Sequence, residues 1–303
     1  MQSLNPTRPF VSCDWGTSHL RLRLAGQGKE FRTDEGAATL AASGGDRAEK
    51  FRTALARGLE KLQAPADLPI LISGMASSSI GWKELPYARL PFALDGSGAV
   101  WEPLDDRTFL ISGLRSDTDI LRGEETQVLG LARTLGPDFP SPGVILLPGT
   151  HSKHVDTDAG SITTFRTFMT GELFALLSQQ SVLRHSTDPA APFDRAAFVE
   201  GVEYAQGQPL PAALFRVRTR QVLDRRETPS NTSFLSGLLI GTELAGLGGS
   251  DRIVTVASNE PLRSAYAIAA GALGFGARLR SVDAETLACE GQAVLLERIL
   301  SGK

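Results

Sequence analysis

Short apolar runs that end in glycine and hydroxyl residues alternate along the chain with stretches of helical hydrophobic spacing. In the first third, residues 10–13 and 20–24 predict a β-hairpin, because an apolar run and an alternating run flank a tight turn. Residues 29–33 predict a further strand, and residues 34–37 a loop. The apolar positions of residues 47–62 fall on one helical face, which predicts a helix there.

The same alternation continues to the end of the chain. Strands are predicted at 70–73 and 109–112 and a helix from 123 to 135, which the prolines of residues 137–142 break. The later predicted elements are a hairpin over 144–165, helices over 171–183, 193–206, 211–223, 231–246, 262–273 and 285–300, and strands over 252–257 and 278–282. Strands that alternate with helices predict an α/β fold. Because 303 residues exceed the usual size of one domain, we expect two domains that meet at the proline-rich break.

Composition narrows the class of protein. The chain is 42% apolar and 21% charged, which is ordinary for a soluble globular protein. Its net charge of -3 argues against a general nucleic-acid binder. The densest basic run, residues 215–226, also contains an acidic residue and is interpreted as a solvated helix face.

Two further features favour a reducing environment away from membranes. Cys13 and Cys289 lie far apart in apolar surroundings, which predicts buried free thiols rather than a disulfide. Residues 1–10 lack a hydrophobic signal core, and no segment reaches about 18 uninterrupted apolar residues. We therefore expect a cytoplasmic protein without a membrane partner. A homo-oligomer is compatible with the sequence.

The turn of the first predicted hairpin carries Asp14, Gly16, Thr17 and Ser18. Backbone N–H groups and hydroxyls in such a turn suit a phosphate, and the aspartate suits a hydrated Mg²⁺. The alternative is an ordinary polar turn.

A second apolar run meets Gly149 and Thr150, followed by Ser152 and Lys153. Both Gly-Thr pairs have a Phe-Arg-Thr triplet downstream at nearly the same distance, at residues 31–33 and 165–167. Two similar strand–turn–strand units suggest a duplicated domain in which each copy offers one phosphate-binding hairpin.

Several blocks of the sequence resemble the 2-dehydro-3-deoxygalactonokinase family of the sugar kinase–actin superfamily. The blocks occur in the family's order and read DWGTSHLR, GMASSSIGWKELPY, RGEETQVLG, LPGTHSKHV, FRTFMTGELFALL and FLSGLLIGTEL. The resemblance implies two ribonuclease-H-like domains around a central cleft. It also implies transfer of phosphate from ATP to the 6-hydroxyl of 2-dehydro-3-deoxy-D-galactonate, in galactonate catabolism.

The resemblance assigns the domains. It implies that residues 1–136 form the substrate side, with the closing helix of residues 285–303 packed back on it, and that residues 143–284 form the nucleotide side. Asp14 would orient Mg²⁺ or its water. The phosphate contacts implied by the two hairpins are Gly16, Thr17 and Ser18 in the first and Gly149, Thr150, His151, Ser152 and Lys153 in the second.

A catalytic base is expected where related carbohydrate kinases place an aspartate, at the start of a helix before the second hairpin. Here that place holds Glu124 and Glu125. We predict Glu124 as the base, with Glu125 as the second choice. The alternative is an ordinary pair of acids in the first turn of a helix.

Candidates for the remaining contacts follow from chemistry, since a keto-acid sugar needs a cation for its carboxylate and polar groups for its hydroxyls. The substrate candidates are Arg21, Ser77, Trp82, Arg122, Thr170 and Glu172. Thr170 equally fits a helix cap and Trp82 a core position. For the nucleotide, Ser258 is a candidate at ribose or adenine. Gly237 permits the close approach of either a purine or a neighbouring backbone.

Two rival functions remain open. One is another reaction of the same superfamily, such as an ATPase or a kinase for a different acidic sugar. The other is a non-catalytic protein that senses a sugar or a nucleotide. The acids Asp14 and Glu124 argue against the second.

Overall fold

The computed structural model of the chain describes residues 9–302. The lack of a signal core was predicted from residues 1–10, and residues 1–8 lie outside the described range. The described chain forms two compact units. The first unit contains the residues up to Ser141, the segment Asp156–Phe165 and the residues from Ala284 onward, and the second contains Pro142–Val155 and Arg166–Asp283.

Residues 9–141 form short strands and helices. The strands are β1 (Val11–Trp15), β2 (Leu20–Leu24), β3 (Glu30–Thr33), β4 (Ile70–Gly74), β5 (Ala88–Arg89), β6 (Phe92–Ala93), β7 (Trp101–Pro103), β8 (Thr108–Ile111), β9 (Leu114–Arg115) and β10 (Ile120–Leu121). The helices are α1 (Ala37–Ala42), α2 (Arg47–Leu62) and α3 (Glu124–Leu135). The main sheet has the order β3-β2-β1-β4-β8-β7, and a small sheet has the order β10-β9-β5.

Helix α2 forms as its sequence predicts. The Asp46 carboxylate accepts a hydrogen bond from Glu49 N at 3.0 Å and so caps the helix, while Gln63 ends it in the left-handed conformation. Its apolar stripe, with Phe51 and Leu55, joins the core cluster on one face of the main sheet. The packing of this stripe fixes the strand that carries Asp14.

The predicted loop at residues 34–37 is confirmed for residues 34–36, but a short helix, α1, which was not predicted, begins at Ala37. The sequence AATLAA consists mostly of good helix formers. Gly36 permits the approach of this helix to the first hairpin turn, since a Cβ at that position would lie 2.2 Å from the Thr17 carbonyl oxygen. The two- and three-residue strands β5, β6, β7, β9 and β10 were also not predicted, because so short a segment has no measurable period.

Residues 142–302 also form strands and helices, with a similar arrangement of strands in the main sheet. The strands are β11 (Gly143–Leu147), β12 (Ser152–Asp158), β13 (Ser161–Phe168), β14 (Ile253–Ala257) and β15 (Leu279–Val282), and the helices are α4 (Thr170–Gln179), α5 (Arg195–Tyr204), α6 (Leu210–Val222), α7 (Thr228–Leu244), α8 (Leu262–Ala272) and α9 (Leu287–Ser301). The sheet order is β15-β14-β11-β12-β13-β6. With β6 left aside, the first four strands of both main sheets have the order third-second-first-fourth, which agrees with the predicted duplication.

Two predictions in this part need correction. The helix predicted over 171–183 ends at Gln179, and a separate turn of 3₁₀ helix covers Val182–His185. The basic run at 215–226 is not wholly solvated, because Arg220 is only 1% exposed. Its guanidinium lies 4.1 Å from the centre of the Phe234 ring and pairs with Glu200. Burial of an arginine is tolerated here because it is paired.

The C-terminal helix α9 packs within the first unit against α3. A Cβ on Gly130 would lie 1.9 Å from the Leu287 carbonyl oxygen, and a Cβ on Gly291 would lie 1.7 Å from the Thr126 carbonyl oxygen. Only glycine therefore permits this close packing of the two helices. Gln292 donates to the Cys13 carbonyl at 2.9 Å and to Ser73 Oγ at 2.8 Å. Helix α9 therefore supports the two strands that end beside Asp14. Both cysteines are buried free thiols, as predicted.

Among the described helices, none is long and apolar enough to cross a membrane.

The α3–α9 contact gives a test of the fold. Substituting Gly291→Ala forces a methyl group against a backbone carbonyl, so we expect the free energy of unfolding to fall by about 3 kcal/mol. The matched control is Gly271→Ala in α8, where a Cβ meets nothing within 4 Å. That variant should be neutral or more stable by about 0.5 kcal/mol. Urea unfolding measures both, and equal stabilities of the two variants would contradict the packing described here.

Candidate active site

Asp14 lies at the carboxyl end of β1, with 21% of its side chain exposed. Its carboxylate is 3.1 Å from the Arg21 guanidinium, on the paired strand β2. Burial raises the pKa of Asp14 above its ordinary value of 3.8, Arg21 opposes this shift, and the Glu124 carboxylate adds to it. The raised pKa therefore shows a carboxylate held in a partly desolvated place near a second acid.

The first hairpin turn is fixed by helix α1. Gly16 N donates to the His19 carbonyl at 2.8 Å, and the carbonyls of Gly16 and Thr17 each accept from the start of α1 at 3.0 Å. Thr17 and Ser18 remain exposed. The turn therefore presents its hydroxyls to solvent on a rigid backbone. This support by α1 was not predicted, although Gly36 before an alanine-rich segment was the available signal.

Two glycines bring the start of α3 next to Asp14. Gly74, at the end of β4, has a φ of +89°, and a Cβ there would lie 2.6 Å from the Trp15 carbonyl oxygen and 3.5 Å from Asp14 Oδ1. Gly123, before α3, has a φ of +102°, and a Cβ there would lie 3.3 Å from Gly74 Cα. Only glycine adopts such backbone angles without strain. The predicted acids at residues 14 and 124 are therefore brought into one site of the first unit.

The two glutamates at the start of α3 differ in environment. Glu124 is half-buried and accepts from Arg122 N at 2.8 Å, whereas Glu125 is 1% exposed and accepts from Gly123 N at 2.7 Å. Burial, together with the neighbouring Glu124, raises the pKa of Glu125 from 4.5 to about 8. At neutral pH Glu125 is therefore largely protonated, and Glu124 is the acid that solvent reaches.

Arg122 joins a second candidate, Ser77, at this site. Its Nη1 donates at 2.5 Å to both the carbonyl and the hydroxyl oxygen of Ser77, and its guanidinium lies 4.2 Å from the centre of the Tyr87 ring. Among the described residues, Arg122 Nε and Glu125 Oε1 are buried without a hydrogen-bond partner. Unpaired buried polar atoms are costly and uncommon, and two of the six in the described residues lie at the start of α3.

The other substrate candidates are placed differently. Trp82 packs in the core, with its ring centre 6.2 Å from that of Trp15 and 6.1 Å from that of Phe51, which gives the core interpretation. Thr170 and Glu172 lie in the second unit at the start of α4. The predicted cap at Thr170 is not made, because Met169 occupies the cap position and the Thr170 hydroxyl donates to Glu243.

In the second unit, helix α4 holds the turn after β11. Glu172 N donates to the Thr150 carbonyl at 3.0 Å, and His151 Nε2 lies 2.5 Å from a Glu172 carboxylate oxygen. A Cβ on Gly171 would lie 2.5 Å from the Gly149 carbonyl oxygen, so glycine is needed for this approach. Thr150 and His151 are exposed. The turn and the first turn of α4 thus form one surface.

Two predicted phosphate contacts are buried behind this turn. Ser152 is 1% exposed, and its hydroxyl lies 3.0 Å from the Tyr266 hydroxyl. Lys153 is 4% exposed, and its ammonium group donates to the His151 carbonyl at 2.9 Å. Both side chains stabilise the hairpin from within, because residues on both faces of β12 are covered.

A pocket of about 140 Å³ adjoins the turn in the second unit. Its lining residues are Gly149, Thr170, Gly171, Phe174, Ser236, Leu239, Ile240, Leu262 and Tyr266. Gly237 is next to this wall, but its Cβ direction meets the Phe198 carbonyl oxygen at 2.0 Å, so the close approach that it permits is to α5. Ser258 is 6% exposed at the end of β14, and its hydroxyl contacts the Asn259 carbonyl at 3.3 Å.

Comparison with known proteins decides the family. A family model described as 2-keto-3-deoxy-galactonokinase matches residues 14–295. The chain is 36% identical to a Rhizobium meliloti (strain 1021) protein named "Probable 2-dehydro-3-deoxygalactonokinase DgoK1", over 91% of this chain and 92% of that protein. It is 33% identical to the 2-dehydro-3-deoxygalactonokinase of Escherichia coli (strain K12), over 88% and 91%. The chain belongs to the 2-keto-3-deoxy-galactonokinase family.

Solved structures confirm the predicted fold class. A crystal structure from Sinorhizobium meliloti, assigned to the same kinase, matches with a TM-score of 0.83 at 36% identity, over 96% of this chain and 99% of that one. The ADPNP-bound activator of the 2-hydroxyisocaproyl-CoA dehydratase from Clostridium difficile matches with a TM-score of 0.52 at 10% identity, over 97% of both chains, and shows the fold alone. The fold is that of actin-like ATPases and sugar kinases. A kinase of this family uses ATP.

The buried acid of this kinase gives a pH-dependent test. Because the pKa of Glu125 is about 8 when folded and its ordinary value is 4.5, the folded state keeps a proton that the unfolded chain releases. Glu125 therefore lowers stability progressively as pH rises through that window. Glu125→Gln should remove this loss and gain up to about 3 kcal/mol relative to the wild type between about pH 5 and 7.5.

Urea unfolding at several pH values measures this difference. The control is Glu297→Gln, an exposed glutamate on α9 whose variant should follow the pH trend of the wild type. A Glu125→Gln profile parallel to that of the wild type would show that Glu125 is not a proton-holding acid in the folded chain.

Proposed function

We propose that this chain transfers the γ-phosphoryl group of ATP to the 6-hydroxyl of 2-dehydro-3-deoxy-D-galactonate, in galactonate catabolism. Membership of the family supports the substrate, and one observation carries the chemistry. The half-buried acid Glu124 lies at the start of α3, next to Asp14, in a site that two positive-φ glycines hold together. Phosphoryl transfer needs this kind of positioning more than covalent chemistry.

In this proposal Glu124 accepts the proton of the attacking sugar hydroxyl. A base must be ionised and must reach its proton. Glu125 is buried, its pKa is about 8, and its Oε2 is engaged with Gly123 N. It therefore serves better as a neutral support for the helix start than as the base.

We propose that Arg122 orients the substrate by binding the carboxylate of the sugar acid. Its guanidinium is held by Ser77 and by the Tyr87 ring, so an incoming carboxylate meets a preorganised cation. Arg21 has 47% of its side chain exposed but pairs with Asp14, which makes it a partner of that acid first. The remaining sugar contacts stay predictions.

ATP is proposed to bind the second unit at the turn that follows β11. Gly149, Thr150 and His151 lie on that turn, and the adjoining pocket has mostly apolar walls. Backbone N–H groups of a glycine-containing turn suit phosphates, and apolar walls suit a purine. Because Ser152 and Lys153 are buried, their predicted phosphate contacts pass to the exposed residues of the turn.

Mg²⁺ is proposed to bind with the phosphates through Asp14. The described residues contain no cluster of three or more metal-binding side chains. A single carboxylate fits Mg²⁺ nevertheless, because this ion is usually held by one or two carboxylates, phosphate oxygens and waters. The bound metal would neutralise charge on the phosphates. Asp14 would hold the ion or its water, and Thr17 and Ser18 would contact phosphate from the exposed turn.

A substrate panel separates this function from its rivals. ADP release is measured with a set of sugar acids and without any acid. The proposal expects turnover with 2-dehydro-3-deoxy-D-galactonate, whereas an ATPase turns over without an acceptor and a different kinase prefers another acid. Ligand binding with no turnover on any acid would support a sensing protein instead.

The role of Glu124 is tested by paired amide substitutions. Glu124→Gln should lower kcat by about 100- to 10,000-fold, the usual contribution of a general base. Glu125→Gln should lower it by less than about 10-fold, since glutamine mimics a protonated glutamate and keeps the bond to Gly123 N. ATP binding should remain in both variants. Equal losses of kcat, or a larger loss in Glu125→Gln, would reassign the base.

The role of Asp14 is tested through the metal. Chelation by EDTA should abolish turnover and added Mg²⁺ should restore it. Asp14→Asn should raise the Mg²⁺ concentration needed for half-maximal activity by about 10-fold or more, because a neutral amide is a weaker ligand for a hard cation. An unchanged Mg²⁺ dependence would remove Asp14 as the metal-binding residue.

A further inference from the structure

A chain of hydrogen bonds connects helix α7 to the turn that follows β11. The Glu243 side chain is 1% exposed, and its carboxylate accepts from His154 Nε2 at 3.0 Å and from the Tyr266 hydroxyl at 2.8 Å. It also accepts the hydroxyl proton of Thr170, the first residue of α4. A buried carboxylate with three protein donors is fully engaged and can organise all of them.

The donors and acceptors in this chain have a fixed direction. Burial and the Glu243 carboxylate raise the pKa of Tyr266 well above its ordinary value of 10, so the phenol keeps its proton and donates it to Glu243. Because that proton is used, the contact between Ser152 and Tyr266 at 3.0 Å requires Ser152 to donate. Gly149 N in turn donates to Ser152 Oγ at 3.4 Å. The order therefore runs from Gly149 through Ser152 and Tyr266 to Glu243.

Hydrogen bonds link the Glu243 carboxylate to two sides of the pocket that we propose for ATP. Tyr266, Thr170 and Gly149 all line the pocket. Tyr266 and Thr170 donate to Glu243 directly, and Gly149 is linked to it through Ser152 and Tyr266. Thr170 begins the helix whose first turn contacts Thr150. Movement of the Glu243 carboxylate would thus shift both the phosphate-binding turn and the start of α4.

We propose that Glu243 is a positioning residue for ATP, which acts through Tyr266 and Ser152 on the turn at Gly149 and through Thr170 on α4. This inference rests on the proposed assignment of ATP to that turn. It explains why the chain buries a carboxylate that does not face the ligand. It also gives Ser152 a role other than phosphate binding, since its proton points to Tyr266.

The direct test is Tyr266→Phe, measured by calorimetric binding of ADP with Mg²⁺ and by steady-state kinetics. Phenylalanine keeps the ring in the pocket wall but removes the hydroxyl that links Ser152 to Glu243. We expect the Kd for ADP and the KM for ATP to rise about 10-fold, as for the loss of one buried hydrogen bond. The KM for the sugar acid should stay within about 2-fold of the wild-type value, because none of these hydrogen-bonded residues belongs to the first unit.

Two further variants show whether the residues act as one chain. Ser152→Ala should raise the Kd for ADP to a similar degree. The double variant Ser152→Ala/Tyr266→Phe should have a Kd no higher than the higher of the two single-variant values. The matched control is Thr242→Ala, an exposed residue next to Glu243 on α7 whose hydroxyl donates to the Leu238 carbonyl of its own helix at 2.7 Å. That control should bind ADP like the wild type.

Glu243→Gln provides the conservative exchange. Its one carbonyl oxygen can still accept from Tyr266 and Thr170, provided that its amide group faces His154 and the imidazole changes tautomer. We therefore expect a smaller rise in the Kd for ADP than in Tyr266→Phe. Melting temperatures of all variants are measured alongside.

The outcomes distinguish this inference from the proposed function. Unchanged ADP binding in both Tyr266→Phe and Ser152→Ala overturns the positioning role, whether or not their melting temperatures fall. Additive losses of ADP affinity in the double variant also overturn it, because they show that Ser152 and Tyr266 do not act through one series of hydrogen bonds. A wild-type protein that does not bind ADP overturns the assignment of the nucleotide to this turn, and with it the proposed function.

Discussion

The candidate active site of the first unit depends on the close contact of two backbone segments at Gly74 and Gly123. A side chain at either position would separate α3 from the ends of β1 and β4. The contact brings Glu124 near enough to Asp14 to raise the pKa of that aspartate. Two like charges repel, and the hydrogen bonds of Gln292 to Cys13 and Ser73 help to hold the strands in place against that repulsion.

The two main sheets share a strand order but use it differently. In the first, the hairpin turn ends beside a carboxylate and is supported by α1. In the second, the corresponding turn ends beside a pocket and is supported by α4 and by the Glu243 network. One framework thus carries an acid site in one copy and, in the other, the pocket that we propose for ATP. This division of labour agrees with a kinase, which must handle an acceptor and a donor.

Much of the fold was predictable because its elements have clear periods. Helix α2 has the predicted bounds of residues 47–62. Asp14 was proposed from its place in the first hairpin turn and Glu124 from the family resemblance, and both roles stay predictions. The roles of Ser152 and Lys153 were not predictable. They lie on β12, where both faces are covered, and no hydrophobic pattern shows whether a polar residue of such a strand faces a ligand or an internal partner. Helix α1 was missed because six residues are too few to show a helical period.

The position of α9 has a consequence for how the protein forms. This helix contains Gln292, whose amide bonds to the carbonyl of Cys13, 279 positions earlier in the chain. During synthesis the second unit is complete before the first has received its last helix. The face of α3 that includes Gly130 therefore stays uncovered until α9 has been synthesised. Contacts of such long sequence separation also slow folding in general, so we expect the second unit to fold first and the acid site to form last.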